Sequence, residues 1–162
     1  MVDKTISRKI LFIISEDWYF ASHRLHLATQ AIESGYTVAL LSNYSKYRNE
    51  IENRGIKVID WSLSRSSKNP FREWLAIRNI ILAIRQFQPD LIHSVAMKPV
   101  LYSAIASRFS RTKVCIFALA GLGFIFSSEK HSAKFIRPII QFAFRLLCGG
   151  QYTRFILQNP ED

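Results

Sequence analysis

The sequence predicts an α/β fold, a doubly wound parallel sheet of about six strands with helices on both faces. Short apolar runs alternate with longer segments of helical periodicity along the whole chain, which is the pattern of a parallel sheet. No internal repeat or low-complexity tract interrupts the alternation. The 162 residues, 49% of them hydrophobic, suffice for a core of one domain. We therefore expect residues 1–162 to form a single Rossmann-like domain.

Six apolar runs bounded by turn-forming residues predict the strands. They are Lys9–Ser15, Thr37–Ser42, Ile56–Asp60, Leu91–Ser94, Lys113–Ala118 and Arg154–Gln158. If the strands take the common order 3-2-1-4-5-6, the first and fourth are neighbours and the order reverses between them. The loops after these two strands then face one another across a crevice, which would bring together the segments 16–24 and 94–99.

Helical periodicity fills the gaps between the strands. The predicted helices are Ser22–Ser34, Lys46–Asn53, Pro70–Phe87, Lys98–Phe109 and roughly Ser132–Leu147. Gly35 and Gly55 stand where a helix C-cap is expected, because glycine adopts the left-handed conformation at little cost. Pro89 follows the third helix and cannot continue it.

The net charge of +10, from 22 Lys and Arg against 12 Asp and Glu, favours anionic partners. Arginines between Arg65 and Arg85 lie among Trp61, Phe71 and Trp74, a mixture found in proteins that bind single-stranded nucleic acid. Their spacing of six or seven residues is more typical of one solvated helix face. We therefore expect no nucleic-acid partner.

The segment Met1–Arg8 lacks the apolar region of a secretory signal. The longest apolar run, Ile116–Phe126, has 11 residues, whereas a membrane-spanning helix needs about 20. These observations predict a cytoplasmic protein without a transmembrane segment. Cys115 and Cys148 are then expected to be reduced core residues rather than a disulfide pair.

The first strand–helix turn, residues 16–24, contains no glycine. A dinucleotide-binding fold places Gly-x-Gly-x-x-Gly here, so that its backbone can approach a pyrophosphate. This turn instead offers aromatic side chains, the carboxylates of Glu16 and Asp17, and the adjacent His23 and Arg24. Such groups suit a polyhydroxylated or anionic ligand better than NAD.

His23 is the candidate catalytic residue, because it is predicted to open a helix, where free N–H groups and the helix dipole favour anions. The alternative is a residue that only caps the helix. Glu16, Asp17 and Arg24 are candidate substrate-binding residues, although the two carboxylates also fit a solvated loop. Lys98, across the crevice, either neutralises a phosphate or is a solvated residue of the first helical turn.

Two further motifs have both a functional and a structural interpretation. Gly121-Leu122-Gly123-Phe124 follows the fifth strand and either donates N–H groups to a ligand or forms a tight turn. His93 ends a buried strand, so we expect it to be a hydrogen-bonded core residue.

The segment 132–148 carries apolar residues at helical spacing, with basic residues on the other side. Such a helix either packs on the sheet or lies on an anionic membrane. The candidate membrane contacts are Lys134, Arg137, Phe142, Phe144 and Arg145.

Several motifs, taken in order over essentially the whole chain, resemble the N-terminal domain of glycosyltransferase family 4 enzymes, which have the GT-B fold. They are Ile10–Ser15, Ser22-His23-Arg24, Gly35–Val38, Pro89–His93, Lys98-Pro99 and Gly121–Phe124. The Gly-Leu-Gly-Phe variant is similar to that of members that build bacterial surface polysaccharides. The pattern differs at Val95 and Ala120, where many relatives carry a histidine.

The resemblance implies the acceptor-binding half of a retaining hexosyltransferase that needs no metal. The nucleotide-sugar donor would bind a C-terminal domain absent from residues 1–162, so this domain would bind no cofactor and be inactive alone. By resemblance, His23, Lys98 and Gly121–Phe124 match acceptor-side positions of the family. The chain would then need that missing donor domain as its partner.

A lipid-diphosphate-linked saccharide acceptor would explain both the basic charge and the amphipathic segment. It would place the protein peripherally on the inner face of the plasma membrane. Two alternatives remain open. One is a membrane-associated scaffold or accessory subunit without chemistry, and the other is a nucleotide-binding Rossmann protein, which the glycine-free turn disfavours.

Overall fold

The computed structural model describes residues 8–63, 69–110, 112, 114–119, 142, 145 and 152–157. Its strands are β1 (Lys9–Glu16), β2 (Thr37–Asn43), β3 (Lys57–Asp60), β4 (Leu91–Val95), β5 (Val114–Leu119) and β6 (Thr153–Leu157). They form one parallel sheet of order β3-β2-β1-β4-β5-β6. The predicted fold and strand order are confirmed, and every strand boundary lies within one residue of its predicted position.

The described helices are α1 (Asp17–His23), α2 (Leu25–Glu33), α3 (Arg48–Asn53), α4 (Pro70–Phe87) and α5 (Met97–Ser107). The bounds of α4 are those predicted, and α3 and α5 differ by at most two residues at either end. The first predicted helix is wrong at its start, because helical structure begins at Asp17 and is interrupted at Arg24. In the predicted helix 132–147 only Phe142 and Arg145 are described, both of them helical and exposed.

Local signals end the helices as predicted. Gly35 and Gly55 have φ angles of 87° and 80°, in the left-handed region that glycine favours. At the end of α4, Gln88 takes a left-handed conformation and Pro89 follows it. At the start of α4, Oδ1 of Asn69 accepts a hydrogen bond from the backbone N–H of Phe71.

Alternate residues of β1 are buried on opposite faces of the sheet. Leu11 and Ile13 pack against α4 and α5, whereas Phe12 and Ile14 pack in a second core that includes α1, α2 and α3. Helices therefore cover both faces. Each fully buried side chain of this size contributes roughly 1.5–3 kcal/mol to folding.

The strand order reverses at β1, which pairs with β2 on one side and with β4 on the other. The register of β1 against β2 shifts between Ile13 and Glu16, so the end of β1 departs from regular pairing. Because the strands are parallel, the carboxyl ends of β1 and β4 lie side by side at one edge of the sheet. This edge is where an open α/β sheet binds its ligands.

Candidate functional site

A cavity of about 390 Å³ lies between the carboxyl ends of β1 and β4. We call it the switch-point crevice. Its lining residues are Ile14, Ser15, Trp18 and Tyr19 on one side and Val95, Ala96, Lys98 and Pro99 on the other. The crevice that topology predicted between segments 16–24 and 94–99 is therefore present, and it includes the ends of the strands themselves.

Aromatic rings form one wall of the crevice. Trp18 is 43% exposed, and its ring meets that of Tyr19 edge to face at 5.8 Å between centroids. Tyr19 in turn stacks on the imidazole of His23 at 4.3 Å with an interplanar angle of 11°. Trp18 and Tyr19 thus present partly exposed rings to a ligand, an apolar surface on which the flat face of a sugar or another ring can lie.

His23 does not occupy the position that the sequence predicted. It is the last residue of α1 rather than the first residue of a helix, and its Nδ1 lies 3.2 Å from the carbonyl oxygen of Tyr19. The dipole at a helix C-terminus favours cations, so the argument from anion binding at a helix start is wrong. His23 is exposed, is not among the described residues that line the crevice, and stacks on Tyr19, which is. Its catalytic role stays a prediction.

Asp17 has a structural role in place of the predicted substrate contact. Its carboxylate is fully buried, and Oδ2 accepts hydrogen bonds from the backbone N–H groups of Ser45 (2.7 Å) and Tyr47 (3.0 Å). Oδ1 accepts a third from the hydroxyl of Ser45 (2.8 Å). Burial opposes ionisation, but these hydrogen bonds outweigh it and hold the pKa of Asp17 below its ordinary value.

Glu16 and Arg24 lie beside the crevice rather than in its lining. Glu16 ends β1, is half-buried and pairs with Asn43 of β2 in the sheet register. Arg24 separates α1 from α2, and its guanidinium donates to the carbonyl oxygen of His23 (2.9 Å). Substrate contact by either residue stays a prediction.

Lys98 lines the crevice but has a partner that sequence reasoning missed. Its Nζ lies 3.0 Å from Oε1 of Glu73 on α4, and the hydroxyl of Tyr102 donates to Oε2 of the same carboxylate. Two signals were available, because Glu73 is the single acid of α4 and Tyr102 follows Lys98 by one helical turn. Neither feature of the sequence predicts that α4 and α5 lie close enough for these side chains to meet.

The backbone is strained where β4 runs into α5. Ala96 has φ 78° and ψ 161°, a backbone conformation that residues other than glycine rarely adopt. Its N–H donates to the carbonyl oxygen of Ala118 on β5 (3.0 Å), which holds the turn in place. Such conformations cost of order 1–3 kcal/mol and cluster at functional sites, so the position of Ala96 in the crevice fits a ligand-binding role.

His93 is buried in β4 as predicted, at 3% exposure, with its ring edge to face with that of Phe12 at 5.2 Å. We expected a hydrogen-bonded residue, and within the described residues the buried Nε2 has no hydrogen-bond partner. Burial, aided by the positive charge of Arg24, lowers the pKa of His93 to about 4. The imidazole is therefore neutral at physiological pH.

Several predicted residues lie outside the described residues. They are Gly121, Leu122, Gly123, Phe124, Lys134, Arg137, Phe144 and Cys148. Cys115 is buried, as expected of a core residue. In the part of the chain that the structure describes, no three His, Cys, Asp or Glu side chains are grouped to hold a metal ion, and none of the helices has the length and hydrophobicity to cross a lipid bilayer.

The sequence of this chain is similar to that of a known protein family. A family model described as glycosyl transferase 4-like matches residues 9–158. No curated protein matches the chain. The match to the family model covers almost the entire chain.

Solved structures share the fold at low identity. A glycosyltransferase from Rickettsia africae ESF-5 is 14% identical with a TM-score of 0.57, over 94% of this chain and 43% of its own. MurG from Acinetobacter baumannii is 13% identical with a TM-score of 0.54, over 69% and 35%. A protein named as a UDP-N-acetylglucosamine 2-epimerase from Listeria monocytogenes is 14% identical with a TM-score of 0.53, over 83% and 38%. The chain thus spans less than half the length of these three proteins, and at this identity the likeness shows the fold alone.

Proposed function

The chain belongs to the glycosyl transferase 4-like family, and on that premise we propose that it is the N-terminal, acceptor-binding domain of a GT-B glycosyltransferase. In this proposal a sugar passes from a nucleotide-sugar, held by a second domain, to a saccharide acceptor held here. We also propose the finer details of retention of configuration, a lipid-linked acceptor and a role in surface polysaccharide synthesis. These rest on the motif resemblance and on the charge of the chain.

The observation that carries the proposal is the aromatic switch-point crevice, whose lining, among the described residues, contains no glycine. A nucleotide site at this place would need a backbone that approaches a pyrophosphate closely, whereas Trp18 and Tyr19 fill the turn with large rings. Apolar ring faces together with a few polar groups, here Ser15 and Lys98, are what a small-molecule site uses to bind and orient a ligand. The composition of the crevice supports an acceptor sugar rather than a nucleotide.

The role of this chain in the reaction is then positional. The acceptor hydroxyl oxygen forms the new bond to the anomeric carbon and passes its proton to the departing nucleotide diphosphate, while the bond from that carbon to the diphosphate breaks. A crevice that fixes the acceptor ring holds its hydroxyl on the face of the anomeric carbon from which the diphosphate departs, as retention of configuration requires. Stabilisation of the departing diphosphate belongs to the donor domain in this proposal.

Replacement of Trp18 by alanine tests the proposal in a protein that contains both domains. We expect Trp18→Ala to lower kcat/KM for the acceptor by about tenfold, because a ring contact of roughly 1.4 kcal/mol is lost. The KM for the nucleotide-sugar should stay unchanged. Leu27→Ala, at a 52% exposed position on α2, is the matched control.

Three results would contradict the proposal. Equal losses of kcat/KM for the acceptor in Trp18→Ala and Leu27→Ala would mean that the crevice does not bind the acceptor. A raised KM for the nucleotide-sugar in Trp18→Ala would assign the donor to this domain. Epimerisation of the nucleotide-sugar without any acceptor would favour the activity for which the Listeria protein is named.

We further propose that an anionic membrane surface is a partner, and the outward face of α4 supports this. Phe71, Trp74 and Leu82 are 65%, 55% and 44% exposed, and Arg78 and Arg85 are exposed between and after them. Successive spacings of three and four residues place all five on one stripe, which we call the α4 outer face. Exposed aromatic and aliphatic groups among arginines suit the boundary between lipid headgroups and acyl chains.

The double substitution Phe71→Ser/Trp74→Ser tests this contact. We expect it to weaken binding to phosphatidylglycerol vesicles at least about tenfold in co-sedimentation, because two interfacial rings no longer enter the bilayer. Leu27→Ser changes an exposed apolar residue on another helix, 52% exposed against 65% for Phe71 and 55% for Trp74, and should leave binding unchanged. Phe142→Ser tests the segment that the sequence predicted, since Phe142 is 68% exposed. Undiminished binding of the double variant would remove the α4 outer face from the proposal.

A further inference from the structure

A second cavity, of about 660 Å³, lies at the same edge of the sheet as the switch-point crevice. The end of β2, the residues that follow β3 and the first half of α4 form it. Because the strand order is β3-β2-β1-β4, the ends of β3 and β2 lie directly beside the end of β1. The polar residues that line this second cavity are Asn43, Ser62, Arg72, Glu73 and Asn79.

The second cavity and the switch-point crevice adjoin at two places. Asn43 lies opposite Glu16 in the register of β2 against β1, and Glu16 directly follows Ser15 of the crevice lining. Glu73 lines the second cavity, and its Oε1 lies 3.0 Å from Nζ of Lys98, which lines the crevice. Neighbouring strands are about 4.8 Å apart, a distance close to the length of one pyranose ring. Two linked sugars can therefore extend from one cavity into the other.

The lining of the second cavity is suited to a ring that carries many hydroxyl groups. Two carboxamides, a hydroxyl, a guanidinium and a carboxylate provide both donors and acceptors, whereas the crevice offers aromatic rings and few polar groups. A sugar hydroxyl also donates and accepts, so such a lining can bind several of them at once. Leu63 and Leu75 add apolar surface for the C–H groups of the ring.

Three polar side chains of this lining are available to a ligand. In the part of the chain that the structure describes, no hydrogen bond or ion pair engages the side chains of Asn43, Ser62 and Asn79. Asn43 and Ser62 are exposed, and Asn79 is half-buried. A ligand that entered the second cavity would bond to these groups in exchange for water.

We infer that the second cavity binds a second sugar unit, so that the acceptor is an oligosaccharide whose terminal sugar lies in the switch-point crevice. The inference rests on the proposed function, because it extends the acceptor away from the reacting hydroxyl. Trp18 and Tyr19 hold the terminal ring, and Asn43 and Asn79 bond to hydroxyls of the ring before it. A disaccharide that spans both sites binds more tightly than either unit, because its second ring binds as an intramolecular event.

The test measures sugar binding by the ¹⁵N-labelled chain and requires no transfer reaction. The probes are the methyl glycosides of glucose, galactose, mannose and N-acetylglucosamine, each compared with disaccharides built of two such units. Dissociation constants come from the backbone amide shifts of residues 95–98 and the side-chain amide shifts of Asn43 and Asn79. We expect at least one disaccharide to bind about tenfold more tightly than its monosaccharide and to shift both sets of signals. The monosaccharide should shift only residues 95–98.

Single substitutions assign the gain to the second cavity. Asn43→Ala and Asn79→Ala should each weaken disaccharide binding about fivefold, as expected for one lost hydrogen bond, and leave monosaccharide binding unchanged. Neither residue is fully buried, so neither variant opens a void in the core. Asn49→Ala, at an exposed asparagine on α3 outside the described lining, is the matched control and should change neither constant. Trp18→Ala should weaken both sugars by the same factor, because they share the terminal ring.

Disaccharides that bind no more tightly than their monosaccharides, or do not bind, would overturn the inference. So would a disaccharide advantage that persists in Asn43→Ala/Asn79→Ala, because the second ring would then lie elsewhere. Shifts at residues 95–98 without shifts at Asn43 and Asn79 would overturn the inference and leave the acceptor-domain proposal standing. Failure of that proposal is a separate result, since it is read from the Trp18→Ala kinetics of sugar transfer.

Discussion

Acidification from pH 7 to pH 4 is expected to lower the free energy of unfolding by about 3 kcal/mol through His93 alone. The side chain is 3% exposed within the described fold, and burial followed by the charge of Arg24 lowers its pKa from 6.5 to about 4. The unfolded chain takes up a proton at this residue as the pH falls below about 6.5, whereas the folded protein resists until about pH 4. The unfolded state is therefore stabilised by acid across this window.

Urea unfolding of the wild type and of His93→Phe at pH 7 and pH 4 isolates this contribution. Phenylalanine keeps a ring against Phe12 and removes both the titration and the buried Nε2, so at pH 7 we expect it to be neutral or stabilising. Between pH 7 and pH 4 the variant should lose about 3 kcal/mol less than the wild type. His26→Gln, at an exposed histidine on α2, is the matched control. Identical losses in the wild type and His93→Phe would refute the prediction.

The sheet was predictable because its determinants are local or topological. Apolar runs mark the strands, and the common doubly wound order then fixes which ends meet, so the crevice between β1 and β4 followed without any structural information. Helix ends marked by a glycine could be predicted equally well. Gly35 and Gly55 adopt the positive φ angles that their positions required.

The start of the first helix could not be predicted in the same way. No side-chain cap precedes Asp17, and the position is instead fixed by a loop 28–30 residues away in the sequence. The error moved His23 from the expected beginning of a helix to the actual end of one. The dipole at a helix start favours anions and the dipole at a helix end favours cations, so the expected role of His23 depended on a correct helix boundary.

The ion pair of Lys98 could not be predicted either, because it also depends on a contact between residues far apart in the sequence. Lys98 was visible as a basic residue after β4, but Glu73 is 25 residues earlier and on another helix. Periodicity shows which residues of a helix face outward and does not show which of them meet a neighbouring helix. Lys98, which the sequence left open between a phosphate contact and a solvated residue, is one half of an ion pair with Glu73.

Replacement of Asp17 by alanine is expected to cost about 3 kcal/mol, a large part of the 5–15 kcal/mol that stabilise a typical domain. The carboxylate is fully buried and accepts hydrogen bonds from two backbone N–H groups and one hydroxyl of the segment Ser45–Tyr47. Alanine removes the one acceptor that these three part-buried donors share. The connection between β2 and α3 should loosen, and so should the first turn of α1, which carries Trp18 into the crevice.

Chemical denaturation measures the loss of stability in Asp17→Ala, and hydrogen exchange shows which part of the fold is loosened. In Asp17→Ala the amides of Ser45 and Tyr47 should exchange faster, whereas those of central β1 should follow global unfolding. Asp60→Ala is the control, because Asp60 is 72% exposed and its bond to Arg48 is a surface ion pair that contributes little to stability. If the two variants lost equal stability, the Asp17 cluster would not hold this part of the fold. A loss confined to Asp17→Ala would mean that the residue proposed from sequence as a ligand contact instead keeps Trp18 in the position where a ligand meets it.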